Sequence, residues 1–130
     1  MSVEIIITPY FERDAKKFIK KYRSLRGELE QLIDELEADP RTGAQIRENI
    51  YKIRLAVKSK GKGKSGGMRV ITFVDITFME IEGTTDVHLL SIYDKSDRDN
   101  ISDTYLYDLL EEIQIETDKM KWALGISDEE

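Results

Sequence analysis

The 130-residue chain has no cysteine, one histidine and two prolines. Without cysteine, neither a disulfide nor a thiolate metal site is open to it. A single imidazole, His88, leaves little to build a histidine metal site or a Ser-His-Asp triad, so metal-dependent hydrolysis and triad chemistry are poor candidates. No apolar run approaches the roughly 18 residues that a spanning helix needs, and no membrane contact is expected. The opening MSVEIIITPYFERD meets acidic and polar residues within a few positions, unlike a secretory or transit peptide. Together with the absent cysteine this predicts a cytoplasmic protein.

What is present is a core for one domain. Forty per cent of the residues are hydrophobic and 35% are charged, the latter well above the usual quarter or so. One domain spanning 1–130 is expected, with 126–130 as a frayed acidic tail. The net charge of −6 is unevenly distributed. Residues 50–74 hold Lys52, Arg54, Lys58, Lys60, Lys62, Lys64 and Arg69 and no acid, whereas 75–130 hold sixteen acids and four bases. A chain sorted in this way has a local cationic surface on an acidic body, and local fields steer a polyanion more than totals do. The plainer alternative is a solvated lysine-rich loop.

Hydrophobic period places the elements. Val3–Thr8 is β-branched and stopped by Pro9, which reads as a strand. Phe11, Ala15, Phe18, Ile19 and Tyr22 recur at helical spacing, with Lys16, Lys17, Lys20 and Lys21 on the other side. A second helix runs from Leu25 to Ala38 on Leu29, Leu32, Ile33 and Leu36, and Asp39-Pro40 and Gly43 end it. The two should form a hairpin that covers a sheet. From Ile50 to Lys58 the period drops to two, with Ile53, Leu55 and Val57 inward and Lys52, Arg54 and Lys58 on the opposite face. Residues 59–67 read as loop, Met68–Met79 as a strand, Glu82–Thr85 as a turn, and Val87–Tyr93 as the last strand. Ser102 is a candidate N-cap for a helix carrying Leu106, Leu109, Leu110, Ile113 and Met120 and ending near Gly125. The expected class is α+β, ordered β-α-α-β-β-β-α, with an antiparallel sheet, an N-terminal helical hairpin packed on it and a C-terminal helix.

Two motifs mislead. Gly63-Lys64-Ser65 matches the end of a phosphate-binding P-loop, but position 58 is Lys58 instead of glycine, and a strand follows where a helix N-terminus must supply the amides. Asp94, Asp97, Asp99 and Asp103 suggest a calcium loop, yet the alternate oxygen ligands and central glycine are missing. His88 reads as structural or surface, and Trp122 as a packing anchor.

The remaining constellation is a set of cations on three adjoining strand segments: Lys52, Arg54 and Lys58, then Arg69 after a double glycine, then Lys95 behind Tyr93. In a meander these converge, and the small residues at 65–67 leave room for a backbone to approach. A concave group of ammonium and guanidinium ions is a phosphate site. Such a site can also do chemistry on RNA, whose 2′-hydroxyl attacks the adjacent phosphate when the attack is held in line, charge is stabilised and two protons are managed. A lysine among other cations releases its proton more readily, because its neighbours disfavour the charged form, and arginine does not release one. Lys52 is therefore the candidate base, Arg69 the stabiliser of the pentavalent phosphate, Lys95 the donor to the leaving 5′-oxygen, and Tyr93 a platform for a base. Binding of an acidic partner without cleavage remains the alternative.

The run Tyr51-Lys52-Ile53-Arg54-Leu55-Ala56, then KSKGKGKSGGMRVITFV over 58–74, then Leu89–Ser96 with its Ile92-Tyr93-Asp94-Lys95, resembles the RelE/ParE superfamily of toxins, closest to the RelE/HigB-like branch. The resemblance implies a RelE-like α+β fold and the toxin of a type II toxin–antitoxin pair. It also implies cleavage of mRNA, usually in the ribosomal A site, and inhibition by a cognate antitoxin. Carried over by position, the catalytic residues are Lys52, Arg54, Arg69 and Lys95, and Lys58 matches a recurrent basic position. Lys58, Lys60, Lys62, Lys64 and Tyr93 are the expected substrate contacts, and no metal or cofactor is expected. Two other functions fit the same family: a ParE-like inhibitor of DNA gyrase, and a non-toxic binding or phage accessory module.

Overall fold

A computed structural model describes residues 2–61, 63, 66–76, 83–97 and 101–124, with side chains of the last helix described through residue 114. The chain divides into two compact units, residues 1–98 and 99–130.

In the first unit, strand β1 (Ser2–Ile7) is followed by helix α1 (Pro9–Lys21). Thr8 makes the junction: its hydroxyl accepts from the Phe11 N–H (3.3 Å) and donates to the Leu89 carbonyl (2.8 Å). One side chain therefore caps the helix and ties its start to the sheet. Pro9 follows in the first turn, where its missing N–H costs nothing. Phe11, Ala15 and Phe18 are buried, while Arg13, Lys16, Lys17, Lys20 and Lys21 stay exposed. Helix α2 (Leu25–Ala38) buries Leu25, Leu29, Leu32 and Leu36 at a repeating four-three spacing. It stops at Asp39, which turns extended before Pro40.

Five strands form one sheet in the order β1-β5-β4-β3-β2, where β2 is Ala44–Arg47, β3 is Ile50–Leu55, β4 is Met68–Asp75 and β5 is Thr84–Asp94. The class is α+β as expected, but the sheet is mixed. β1 runs parallel to β5, from Ser2 opposite Thr84 to Ile7 opposite Leu89, and only the other pairings are antiparallel. The helical hairpin between β1 and β2 carries the chain from one edge of the sheet to the other. The short edge strand β2 was not expected from the sequence. Three boundaries also shift: β3 ends at Leu55 and a 3₁₀ turn, Lys58–Lys60, replaces the end of the expected strand. β4 ends at Asp75, with 77–79 of the expected run outside the described residues. Thr84 and Thr85, expected in a turn, belong to β5, and the left-handed Gly83 (φ 69°) precedes them.

Alternation then gives the sheet two faces. The hairpin side carries Tyr51, Ile53, Val57, Met68, Val70, Val74, Val87, Leu89 and Ile92, packed with the buried residues of α1 and α2 into one core. A register shift between Ile71 and Thr72 keeps Leu89 and Val87 on that side.

In the second unit, helix α3 spans Asp103–Leu124. Ser102 caps it as expected, its hydroxyl accepting from the Tyr105 N–H at 3.1 Å. Leu106, Leu109 and Ile113 are buried. The side chain of Trp122 and the tail 126–130 lie outside the described residues. Among the described residues no helix is long and apolar enough to cross a membrane.

Candidate nucleic-acid interface

The site is built by register. Arg54 of β3 lies directly opposite Arg69 of β4, and Arg69 lies opposite Tyr93 of β5. Directly opposed residues share a face, so the three form a row across the sheet on the side away from the hairpin. Lys52, two residues before Arg54, joins the same face, opposite Ile71 and then Ser91. Lys95 extends the register by one step, its N–H donating to the Gly67 carbonyl at 3.1 Å. With strands about 4.8 Å apart and about 6.7 Å between alternate residues, the Cα atoms of Lys52, Arg54, Arg69 and Lys95 share a patch roughly 10 by 13 Å, the scale of a few nucleotides. Backbone register thus sets these four positions on one face.

Exposure divides the row. Arg54 is exposed and Lys52 and Lys95 are half-buried, but Arg69 is 3% and Tyr93 5% exposed. The Arg69 guanidinium donates to the Met68 carbonyl at 3.1 Å. Arg54, Lys52 and Lys95 are thus more accessible than Arg69, and Tyr93, expected to stack on a base, is buried. A cleft of about 570 Å³ opens beside β3, lined by Lys52 and Arg54 on one side and by Glu28 and Glu35 of α2 on the other.

Of the small residues before β4, Gly67 stands where the backbone comes close. A Cβ on Gly67 would stand 2.1 Å from the Leu55 carbonyl oxygen, so only glycine lets the loop return this close to the end of β3.

Lys60, expected among the substrate contacts, is placed elsewhere. Its ammonium lies on the hairpin side, 2.5 Å from Asp94 Oδ1 and 5.2 Å from the centroid of the Tyr22 ring. Both side chains are nearly inaccessible, at 6% and 2%. A buried, paired ammonium is not offered to a substrate, which removes Lys60 from the expected set. Lys58 remains exposed at the start of the 3₁₀ turn, its backbone N–H donating to Glu28 Oε2 at 2.8 Å. Lys62 and Lys64 lie outside the described residues.

Asp94 is the residue that sequence reasoning missed, having weighed it only as a calcium-loop member. Its Oδ1 also accepts from the Ser96 N–H (2.9 Å) and hydroxyl (2.7 Å), and its Oδ2 from the Tyr22 hydroxyl (2.8 Å). Burial pulls this carboxyl upward, but the hydrogen bonds from Lys60, Ser96 and Tyr22 outweigh burial and hold it well below the ordinary carboxylate range. One signal was available: Asp94 has the strand parity of the apolar Ile92, and a carboxylate on an apolar face demands a buried cation.

His88 sits at the other end of the β4–β5 ladder, its Nε2 3.9 Å from Asp75 and its ring 5.8 Å from that of Phe73. Among the described residues no group of three or more His, Asp or Glu side chains is placed to hold a metal ion.

No family model matches the chain, and no curated protein sequence does. Among solved structures it is similar to the E. coli toxin RelE, in a doubly substituted form in the free state, with 18% identity over 87% of this chain and 99% of that one and a TM-score of 0.49.

Proposed function

We propose that the chain is the toxin of a type II toxin–antitoxin pair and cleaves mRNA without a metal or cofactor. Its setting is the cytoplasm, its substrate mRNA, taken to lie in the ribosomal A site, and its restraint a cognate antitoxin. The observation that carries this reading is the register that sets Arg54 against Arg69 and brings Lys52 and Lys95 to the same face. The sequence resemblance of residues 51–74 and 89–96 to RelE/HigB-like toxins supports it independently.

In the reaction, Lys52 takes the proton of the 2′-hydroxyl as its oxygen attacks the adjacent phosphorus. Arg54 and Arg69 stabilise the pentavalent phosphate, whose extra negative charge is what distinguishes the transition state from the bound strand. Lys95 gives a proton to the departing 5′-oxygen, leaving a 2′,3′-cyclic phosphate and a 5′-hydroxyl. Lys58, with Lys62 and Lys64 in the loop, draws in the flanking phosphates. Because Arg69 and Tyr93 are buried, productive binding in this reading includes their uncovering.

The test is expression of the chain without an antitoxin. Growth arrest relieved by Arg69→Ala or Lys95→Ala, with both variants folded, supports the reading. Equal toxicity of both variants removes the assigned site. The burial of Arg69 favours one second reading, a non-cleaving binding module on the same fold. Harmless expression with intact transcripts would select it, and gyrase–DNA cleavage complexes with intact transcripts would select the ParE-like role instead.

A further inference from the structure

Asp94 and Lys95 are neighbours in sequence and so face opposite sides of the sheet. Asp94 closes the last β4 pairing, opposite Met68, which in turn lies opposite Leu55 at the end of β3. Its ion-pair partner, Lys60, ends the 3₁₀ turn that leaves β3. The pair therefore joins the ends of β3 and β5 across β4, and these are the three strands that carry Arg54, Arg69 and Lys95.

Both ends of this brace are anchored. The 3₁₀ turn is pinned to α2 by the Lys58 N–H on Glu28 and by the Ser59 N–H on the Ser24 hydroxyl at 3.0 Å. Beyond Asp94 the chain turns tightly, with the Ser96 N–H on the Asp94 carboxylate and the Asp97 N–H on the Asp94 carbonyl at 3.0 Å. Lys95 lies inside that turn, and its own N–H is held by Gly67. Its backbone is thus fixed from three directions, two of which run through Asp94.

We propose that Asp94 is a positioning residue for the basic face: paired with Lys60 on the hairpin side, it sets where Lys95 stands relative to Arg54 and Arg69 on the other. This rests on the ribonuclease reading for its consequence, though not for its geometry. A buried ion pair is a weak way to gain stability, since apolar replacements of similar volume often do as well. What it adds is a directional link that an apolar contact lacks. The hydrogen bonds that hold the carboxyl ionised keep that link intact across the physiological range.

The test compares the full chain with Asp94→Asn, the milder Lys60→Gln, the charge-preserving Lys60→Arg, and Leu36→Val as a folded control weakened in the core. Two quantities are read: steady-state cleavage of free and ribosome-bound mRNA, split into kcat and KM, and hydrogen exchange at the Lys95 amide. Asp94→Asn is expected to lower kcat at least tenfold with KM within about twofold. Its Lys95 amide should lose more protection than the amides of β4, which fall only with the global stability. Lys60→Gln should move both readouts the same way by less, Lys60→Arg should restore them, and Leu36→Val should leave kcat and the Lys95 amide as they were. An Asp94→Asn variant that is folded and keeps wild-type kcat, or a Lys95 amide still protected in both Asp94→Asn and Lys60→Gln, overturns the proposal. If the wild-type chain cleaves nothing, the ribonuclease reading fails, and the Lys95 amide still decides the positioning.

Discussion

Arg54 and Arg69 stand directly opposite each other across the β3–β4 ladder. Like charges facing across a ladder are destabilising, and the apolar packing of the hairpin face gains nothing from them. In the proposed reading, that cost is offset by what the two guanidinium groups do for a phosphate.

Relieving the opposition gives the first prediction. Arg54→Gln, at an exposed position, should raise the thermal midpoint by about 1–2 °C at low salt, and the gain should fade as salt screens the pair. RNA cleavage should fall at least tenfold. Melting curves at two ionic strengths, run beside a cleavage assay, check both.

Asp94 gives a prediction in pH. Its folded carboxyl is held below the ordinary range, whereas in the unfolded chain it titrates near about 3.9. The native state binds this proton less readily than the unfolded state, so the contribution is complete above the unfolded value. It is lost as pH falls through that value toward the folded one. Asp94→Asn leaves Lys60 buried opposite a neutral amide and should cost about 3 kcal/mol at pH 7. Its stability should then fall less steeply than that of the wild type between pH 5 and pH 2. Urea midpoints across that range supply the comparison.

Two glycines should respond in opposite directions. Gly67→Ala drives a Cβ against the Leu55 carbonyl oxygen and should destabilise by about 2 kcal/mol or more. Gly27 lies within α2, and a Cβ there meets nothing within 4 Å. Gly27→Ala should stabilise by up to about 1 kcal/mol, the difference in helix propensity. Equal effects at both sites in chemical denaturation would contradict the close approach at Gly67.

The sequence showed strongly periodic elements well and the long-range ones poorly. Helix α2 was legible to the residue, because its leucines recur at helical spacing and Pro40 ends it. β2 was not legible, since Ala44–Arg47 is four residues long and largely exposed, without an apolar alternation to mark it. The parallel pairing of β1 with β5 joins residues some eighty positions apart, and nothing local distinguishes it from an antiparallel edge. At the site, alternation placed Lys52, Arg54 and Lys58 on one face; Lys52 and Arg54 share it in β3, but the strand ends at Leu55, before Lys58. Lys60, read as part of a loop, ends a 3₁₀ turn, and the carboxylate that claims it lies thirty-four residues on. Arg69 was expected to be open to substrate. It is 3% exposed, and strand periodicity gives a side chain's face, not its exposure.

The central claim is that the face bearing Lys52, Arg54, Arg69 and Lys95 breaks RNA by attack of its own 2′-hydroxyl. The direct measurement is the chemistry of the product ends, taken in EDTA on free and ribosome-bound mRNA, for the wild type and for Lys52→Ala. The account predicts 2′,3′-cyclic phosphate and 5′-hydroxyl ends from the wild type and a loss of at least a hundredfold in Lys52→Ala. No cleavage of either substrate by the wild type, or the same rate from both proteins, would contradict it.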